Sequence, residues 1–463
     1  MKQTRVLMEN RVLLFFTSCF TLLLSSCLGS DDNEYNYDIA KNCQISSFVL
    51  KHDSISSLGT TKFTIDQLNG LIFNQDSLPY GTDVDKVIAT VSYATTISIG
   101  AVQVVQEAVG DTIPWNGTDS LDYSKPVKFI ITAYDGITKK TYDTRLNVHQ
   151  IVPDSMTWNL QSSSLPGTSV SERKTIAFTA DGAEYYYMYA KEADGNHLYT
   201  ASPSNLATWT SQELTGLPES IVIWEQLTEY EKILYVPTSD QKLYQSTDGK
   251  AWQLVDNSPS IVSVLGVVNE EKTAKKPSAL AVIASIDGVS HFASMDKSGV
   301  WFEGSTVSAQ FPITGFAPLS YNLMYRERLL LAGGKTAEGT VLADVWSTMD
   351  GVSWAITTSD KTFNTREGAS IALYDSTFFI VGGFDAEGVA LKDIYRSRDN
   401  GLTWALSDTL IVMPDNYKAR AYTSMIVDEE TNFMYLFGGK DAKGKNDMGE
   451  LWQGRINRLG FKK

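Results

Sequence analysis

The stretch Ser397-Arg398-Asp399-Asn400-Gly401-Leu402-Thr403-Trp404 is a short polar segment that ends in a tryptophan. Aspartate, asparagine and glycine favour tight turns, so the segment predicts a turn whose tryptophan opens the next strand. Tryptophans follow short polar segments at five further places, and neighbours in the series lie 43 to 53 residues apart: Trp158, Trp209, Trp252, Trp301 and Trp354. The chain therefore contains an internal repeat of about 50 residues.

Two further series of residues share this period. Aromatic residues form the first series: Tyr199, Tyr244, Phe292, Trp346, Tyr395 and Trp452. Apolar runs form the second: 185–189, 233–236, 279–283, 329–332, 378–381 and 434–437. These residues are largely β-branched or aromatic and follow no helical period. A strand-built repeat of about 40–50 residues is typical of one four-stranded blade of a β-propeller.

The two ends of the series predict how the propeller closes. Trp158 has no aromatic strand before it, and no tryptophan follows Trp452. We expect the strand around Trp158 to complete the last blade beside Leu451–Ile456, because ring closure removes an exposed sheet edge. The sequence thus predicts an all-β chain in which residues 151–463 form a six-bladed propeller.

The turn at Ser397–Trp404 matches the Asp-box of sialidase-like propellers, and Ser246–Trp252 and Ser347–Trp354 resemble imperfect copies of it. The glycine pairs at 333–334, 382–383 and 438–439, together with Arg366 and Arg420, resemble kelch repeats. In those families the Asp-box is a structural turn. The resemblance therefore implies scaffold roles for these aspartates, and neither metal binding nor catalysis.

Residues 44–150 lack the tryptophan period and contain alternating segments such as 87–93 and 127–134, with Asp135-Gly136 as a hairpin turn. A sandwich of about seven strands fits this length. The segments Leu78–Gly81 and Thr132–Gly136 resemble immunoglobulin-like domains of Bacteroidetes surface lipoproteins. The whole chain resembles a family of such lipoproteins, a sandwich followed by a propeller, and that resemblance implies no particular activity.

The N-terminus predicts export and lipid anchoring. Lys2, Arg5 and Arg11 precede the apolar run 12–24, which is too short for a typical membrane span. Leu24-Ser25-Ser26-Cys27 resembles a bacterial lipobox, which implies a signal peptide over 1–26 and an acylated Cys27 held in the lipid of the outer membrane. The alternative is an ordinary secretory signal.

The acidic segment 27–43 is predicted to be a tether. It resembles the surface-export signal of Bacteroidetes lipoproteins, which implies that the protein faces the cell exterior. The formal net charge of −15 disfavours nucleic acid as a partner, because an acidic protein repels phosphate backbones. Composition leaves the oligomeric state open.

The sequence shows no motif typical of metal or cofactor binding. The four histidines are scattered, with no pair at metal-ligand spacing, and no G-x-S-x-G nucleophile motif occurs. We therefore predict no cofactor and no metal site. Once Cys27 is acylated and the leader is removed, Cys43 is the single remaining thiol, so stability must come from burial rather than an internal disulfide.

One set of residues stands out as a candidate ligand site. Arg173, Arg366 and Arg420 each precede an apolar strand near the same point of their repeat. If those strands are innermost, the guanidinium groups converge at the channel mouth, where they suit a carboxylate or sulfate. The alternative is that each arginine pairs locally, as in kelch domains.

Two classes of function follow. The first is a non-catalytic module that binds a glycan or protein ligand at the cell surface. The alternative is a glycoside hydrolase of sialidase type that uses arginines at the propeller mouth. Such an enzyme needs a Tyr–Glu nucleophile pair and an acidic proton donor, and the sequence singles out neither.

Overall fold

The computed structural model describes residues 41–107, 110–219, 221–272, 275–357 and 359–458. The predicted signal peptide, Cys27 and most of the tether lie outside these residues. The chain divides into two compact units between Val152 and Pro153. No helix among the described residues has the length and apolar character needed to cross a membrane.

The first unit contains two sheets. Its strands are β1 (Ile45–Lys51), β2 (Phe63–Asp66), β3 (Leu71–Asn74), β4 (Val87–Tyr93), β5 (Ala101–Gln106), β6 (Asp111–Pro114), β7 (Ser120–Leu121), β8 (Val127–Thr132) and β9 (Lys139–Arg145), with one 3₁₀ helix at Ser56–Thr60. One sheet has the order β1-β4-β7 and the other β2-β3-β9-β8-β5-β6. All pairs are antiparallel except β3 with β9.

The inward faces of both sheets share one apolar core. Ile45 of β1, Ala89 of β4 and Phe129 of β8 are fully buried there, and Cys43 lies in the same cluster. This alternation of buried and exposed residues is what the segments 87–93 and 127–134 predicted. The described residues form nine strands rather than about seven, because β6 and β7 are too short and too polar to show an alternating pattern.

The second unit consists of six antiparallel four-stranded sheets in the described residues. Sheet 1 contains β11 (Glu172–Ala180), β12 (Ala183–Glu192), β13 (Gly195–Ser202) and β14 (Asn205–Gln212); sheet 2 contains β15 (Thr228–Tyr230), β16 (Ile233–Pro237), β17 (Leu243–Ser246) and β18 (Gln253–Leu254); sheet 3 contains β19 (Ser260–Val268), β20 (Ala279–Ile286), β21 (Val289–Met295) and β22 (Trp301–Thr306).

The other three sheets follow the same plan. Sheet 4 contains β23 (Ala317–Leu323), β24 (Arg326–Ala332), β25 (Val345–Thr348) and β26 (Trp354–Thr357); sheet 5 contains β27 (Ser370–Tyr374), β28 (Thr377–Val381), β29 (Ile394–Ser397) and β30 (Ala405–Leu406); sheet 6 contains β31 (Ser424–Asp428), β32 (Phe433–Phe437), β33 (Leu451–Ile456) and β10 (Met156–Ser162). A 3₁₀ helix, Trp224–Gln226, precedes β15.

The predicted pairing of the strand around Trp158 with Leu451–Ile456 is confirmed. β10 pairs antiparallel with β33, and Trp158 stands opposite Gly454. A Cβ atom on Gly454 would lie 2.5 Å from the indole of Trp158, so this glycine leaves the space that the tryptophan fills. Residues almost 300 positions apart thus complete one sheet.

Each pair of neighbouring sheets shares an apolar cluster of its own. One cluster joins sheet 1 to sheet 2 through Tyr189 and Leu234, and others join sheets 2 and 3, 3 and 4, 4 and 5, and 5 and 6. The sixth joins sheet 6 to sheet 1, with Phe437 against Tyr186 at a ring-centroid distance of 5.4 Å. Burial of aromatic and aliphatic side chains between sheets is the main source of stability in this unit.

The turn that ends at Trp404 is held by its own polar groups. Asp399 Oδ1 accepts the backbone N–H of Thr403 at 2.9 Å, and Ser397 Oγ accepts that of Gly401 at 2.8 Å. Gly401 has a φ of +86°, and a Cβ there would lie 2.7 Å from Leu330. Asp248 and Asp350 accept backbone N–H groups in the same way. Each of these three aspartates therefore holds its turn through hydrogen bonds to backbone N–H groups.

Candidate functional site

The guanidinium group of Arg366 is fully buried in a local network within sheet 5. It lies 3.0 and 3.2 Å from the two carboxylate oxygens of Asp393, and it donates to the carbonyls of Gly382 at 3.0 Å and Asn364 at 3.0 Å. The ring of Tyr395 lies 4.9 Å from its Cζ. This bidentate pair leaves Arg366 little capacity for a ligand.

Arg420 and Arg173 are held in similar ways. Arg420 pairs with Glu450, donates to the Gly438 carbonyl at 3.2 Å and lies over the Tyr417 ring. Arg173 Nε lies 2.8 Å from Asp447 Oδ2, which ties sheet 1 to sheet 6. The geometry favours the local-pairing alternative for all three arginines, and their role in binding a ligand stays a prediction.

A polar cavity of 150 Å³ lies where the first strands of the sheets begin. We call it the first-strand pocket. Its walls come from sheets 1, 2, 4, 5 and 6: Glu172–Lys174, Glu225–Gln226, Gly315–Pro318, Gly368–Ile371, Tyr422, Thr423 and Met425. Of the three candidate arginines, only Arg173 lines it. A site assembled from five sheets has the form expected for recognition by a propeller.

Two carboxylates stand close together in one wall of this pocket. The backbone N–H of Glu225 donates to Glu172 Oε1 at 3.2 Å. Burial raises the pKa of Glu225 to about 7, and the nearby charge of Glu172 adds to this effect, while Lys440 and Lys174 oppose it. Glu225 can therefore hold or release a proton near neutral pH.

Tyr422 also lines the pocket, and its hydroxyl contacts the paired carboxylate of Glu367. Glu367 is bound by Lys335, whose Nζ lies 2.6 Å from Oε2, and the Tyr422 hydroxyl donates to the same oxygen at 3.5 Å. Burial raises the pKa of Tyr422 far above its ordinary value, and the charges of Glu225 and Glu367 raise it further. Tyr422 therefore stays protonated. Lys440 Nζ lies 4.5 Å from the centroid of its ring.

Lys174 completes the charged lining. Burial lowers the pKa of this ammonium group, and the charges of Glu225 and Glu172 only partly offset that effect. The pocket thus combines acidic and basic groups in a partly desolvated space, where each polar contact is stronger than in bulk water.

The sequence singled out Arg173, Arg366 and Arg420 but missed their neighbours. Glu172 and Lys174 flank Arg173, Glu367 follows Arg366, and Tyr422 comes two residues after Arg420. A usable signal existed for Glu172, Lys174 and Glu367: next to a side chain that points into the protein, an extended chain directs its neighbours the other way. Glu225 and Tyr422 carried no such signal.

Two other features of the propeller resemble binding sites. A groove of 410 Å³ beside Trp404 is larger, but its walls come from sheets 4 and 5 alone. Glu192, Asp194 and His197 have ligand atoms within 4.8 Å of one another. Both oxygens of Glu192 already accept hydrogen bonds, from Tyr199 and from the Thr168 N–H. Neither feature brings together charged groups from as many sheets as the first-strand pocket does.

The second unit is a β-propeller domain, as its antiparallel four-stranded sheets indicate. The chain belongs to the DUF6242 family: the model described as "DUF6242 beta propeller domain" matches residues 152–463. The model described as "Domain of unknown function (DUF6242) N-terminal domain" matches residues 37–146. These matches confirm the propeller that the sequence predicted.

Among solved structures, the chain is similar to one titled "Structure of YjhT". The two are 14% identical, with a TM-score of 0.44, and the match covers 62% of this chain and 95% of that one. No curated protein matches the chain.

Proposed function

We propose that this protein is a non-catalytic binding module that recognises a glycan or protein ligand in the first-strand pocket. The observation that carries the proposal is the convergence of Glu172, Lys174, Glu225 and Tyr422 from three sheets on one cavity. A rigid scaffold that presents polar groups in a concave site is suited to ligand recognition.

The scaffold in this proposal is a closed propeller of six blades, one for each four-stranded sheet. Two observations support closure: the pairing of β10 with β33, and the apolar cluster shared by sheets 6 and 1. The two-sheet core of the first unit supports an immunoglobulin-like sandwich over 44–150, followed by the propeller over 151–463.

A glycan array and a pull-down from cell-surface extracts would test this function, using the soluble chain that begins after Cys27. We expect a bound ligand whose retention falls at least tenfold in Glu225→Gln and in Lys174→Met. Glu213→Gln and Lys297→Met change exposed residues outside the pocket and serve as matched controls. Ligand binding that all four variants retain would place the ligand elsewhere and contradict the proposal.

A glycoside hydrolase is the second candidate. The contact of Tyr422 with Glu367 and the proton affinity of Glu225 near pH 7 favour it, because glycosidases need a nucleophile and an acid. The high pKa of Tyr422 and the internal pairing of the arginines speak against it. Turnover of fluorogenic glycosides that Glu225→Gln abolishes would favour the enzyme.

The same proposal places the protein on the cell exterior, anchored in outer-membrane lipid through an acylated Cys27. The order of basic residues, apolar run and lipobox-like Leu24–Cys27 supports this anchoring, and the acidic segment 27–43 supports surface exposure. We expect Cys27→Ala to move the protein from the membrane to the soluble fraction. Membrane retention of this variant would count against a lipid anchor.

A further inference from the structure

Residues of opposite charge line the first-strand pocket without pairing with each other. Lys174 and Glu225 both line the cavity. Among the described residues, no hydrogen bond or ion pair engages the Lys174 ammonium or the Glu225 carboxylate. The two groups influence each other electrostatically, yet they stay too far apart for a salt bridge.

This arrangement differs from that of the buried arginines of the propeller. Arg366 is paired with Asp393, Arg420 with Glu450, and Arg173 with Asp447. A desolvated charge without a partner is costly, whereas the same charge is tolerated when a bound molecule supplies the missing partner. Lys174 and Glu225 are thus placed to bind a ligand rather than to hold the fold together.

The cavity that they line has room for a small head group. At about 30 Å³ per water molecule in the liquid, a cavity of 150 Å³ holds on the order of five waters, which leaves room for the five non-hydrogen atoms of an ammonium–carbon–carboxylate unit. Phe316, Pro318 and Ile371 contribute apolar surface to the same cavity. An apolar side chain attached to that unit would therefore have surface to contact.

We propose that the first-strand pocket binds a small zwitterion with an apolar side chain, its carboxylate at Lys174 and its ammonium group at Glu225. Free aliphatic α-amino acids are the simplest molecules of this class, and a dipeptide with free ends offers the same pair of charges at a greater separation. This inference rests on the proposed ligand-binding function and names the ligand class for the same site.

Calorimetric titration of the full chain in detergent tests the inference with L-leucine, N-acetyl-L-leucine and L-leucinamide. The second compound lacks the cation and the third lacks the anion, while the apolar side chain is unchanged. We expect leucine to bind at least tenfold more tightly than either blocked compound. Leucyl-leucine, run alongside, separates a free amino acid from a peptide as the source of the head group.

Variants then assign each charge to its partner. Lys174→Met is expected to weaken leucine at least tenfold and leave leucinamide unchanged, whereas Glu225→Gln is expected to weaken leucine and leave N-acetyl-leucine unchanged. Lys174→Arg keeps the charge and should retain binding. Lys297→Met and Glu213→Gln are the controls. The melting temperatures of the unliganded variants, expected to equal or exceed that of the parent, separate lost binding from lost folding.

The outcomes separate this inference from the function on which it rests. Equal affinity for leucine and its blocked forms, or no binding of leucine and leucyl-leucine at millimolar concentration, would overturn the zwitterion inference. If a glycan or protein still bound in a manner sensitive to Glu225→Gln, the proposed function would stand without it. If no ligand of any class depended on the pocket residues, both would fall.

Discussion

Glu225→Gln should stabilise the protein at alkaline pH and leave its stability almost unchanged in acid. Burial beside Glu172 raises the pKa of Glu225 to about 7, compared with an ordinary value of 4.5. Below about pH 4.5 the carboxyl is protonated in both the folded and the unfolded chain, so it adds no pH dependence. Between the two pKa values only the folded chain holds the proton, and stability falls as pH rises.

The size of the effect follows from the two pKa values. Each pKa unit corresponds to about 1.4 kcal/mol, so the carboxylate destabilises the folded state by about 3 kcal/mol above pH 7. Glutamine resembles the protonated carboxyl and does not titrate. The free energy of unfolding of Glu225→Gln should therefore exceed that of the parent by about 3 kcal/mol at pH 8, and by close to zero at pH 4.

Scanning calorimetry of the propeller transition at pH 4, 6 and 8 would measure this difference for parent and variant. For a domain of this size we expect a gain of about 5 °C in melting temperature at pH 8. Glu213→Gln, at an exposed position, should show no comparable trend. A difference that is the same at all three pH values, or larger in acid, would refute the assignment of a partly buried Glu225 that binds a proton near neutral pH.

Three further predictions concern the scaffold. Arg366→Met leaves Asp393 without its partner and should cost about 3–5 kcal/mol, measured by chemical denaturation; a loss below about 1 kcal/mol would contradict a structural ion pair. Deletion of 152–162 removes β10 from sheet 6 and should lower the melting temperature of the propeller, whereas an unchanged value would argue against its contribution. Gly401→Ala should cost more than Gly339→Ala, because both glycines have positive φ but only Gly401 has a neighbour within 4 Å; equal losses would exclude a steric contribution from Leu330.

The architecture of the propeller could be predicted because large aromatic residues recur once in each repeat. Trp158, Trp404 and Trp452 fill spaces between or within sheets, so their spacing reports the period of the fold. The pairing of β10 with β33 followed from the unmatched ends of that series. The shortest strand of the first unit, β7, escaped prediction because two residues cannot display an alternating pattern.

The pocket was harder to predict because one of its charged residues, Glu225, lies outside the repeated pattern of strands. Glu225 lies on the 3₁₀ helix Trp224–Gln226, which precedes β15 and has no counterpart among the markers of the repeat. Its elevated pKa depends on Glu172, a residue of another sheet, and on burial that only the folded chain supplies. Periodicity reports what the sheets share, whereas Glu225 belongs to a segment that only one of the sheets has.

The arginines still bear on the pocket, although their guanidinium groups are engaged elsewhere. The Arg366 carbonyl accepts the N–H of Gly334 in sheet 4, and the Arg420 carbonyl accepts that of Gly383 in sheet 5. Arg366 and Arg420 thus each hold their own sheet through the side chain and the preceding sheet through the backbone. Tyr422 comes two residues after Arg420, and Glu367, which its hydroxyl contacts, comes directly after Arg366, so the position of Tyr422 in the pocket is fixed before any ligand arrives. A preorganised site of this kind loses little entropy on binding, which is the physical reason to expect selectivity from so small a cavity.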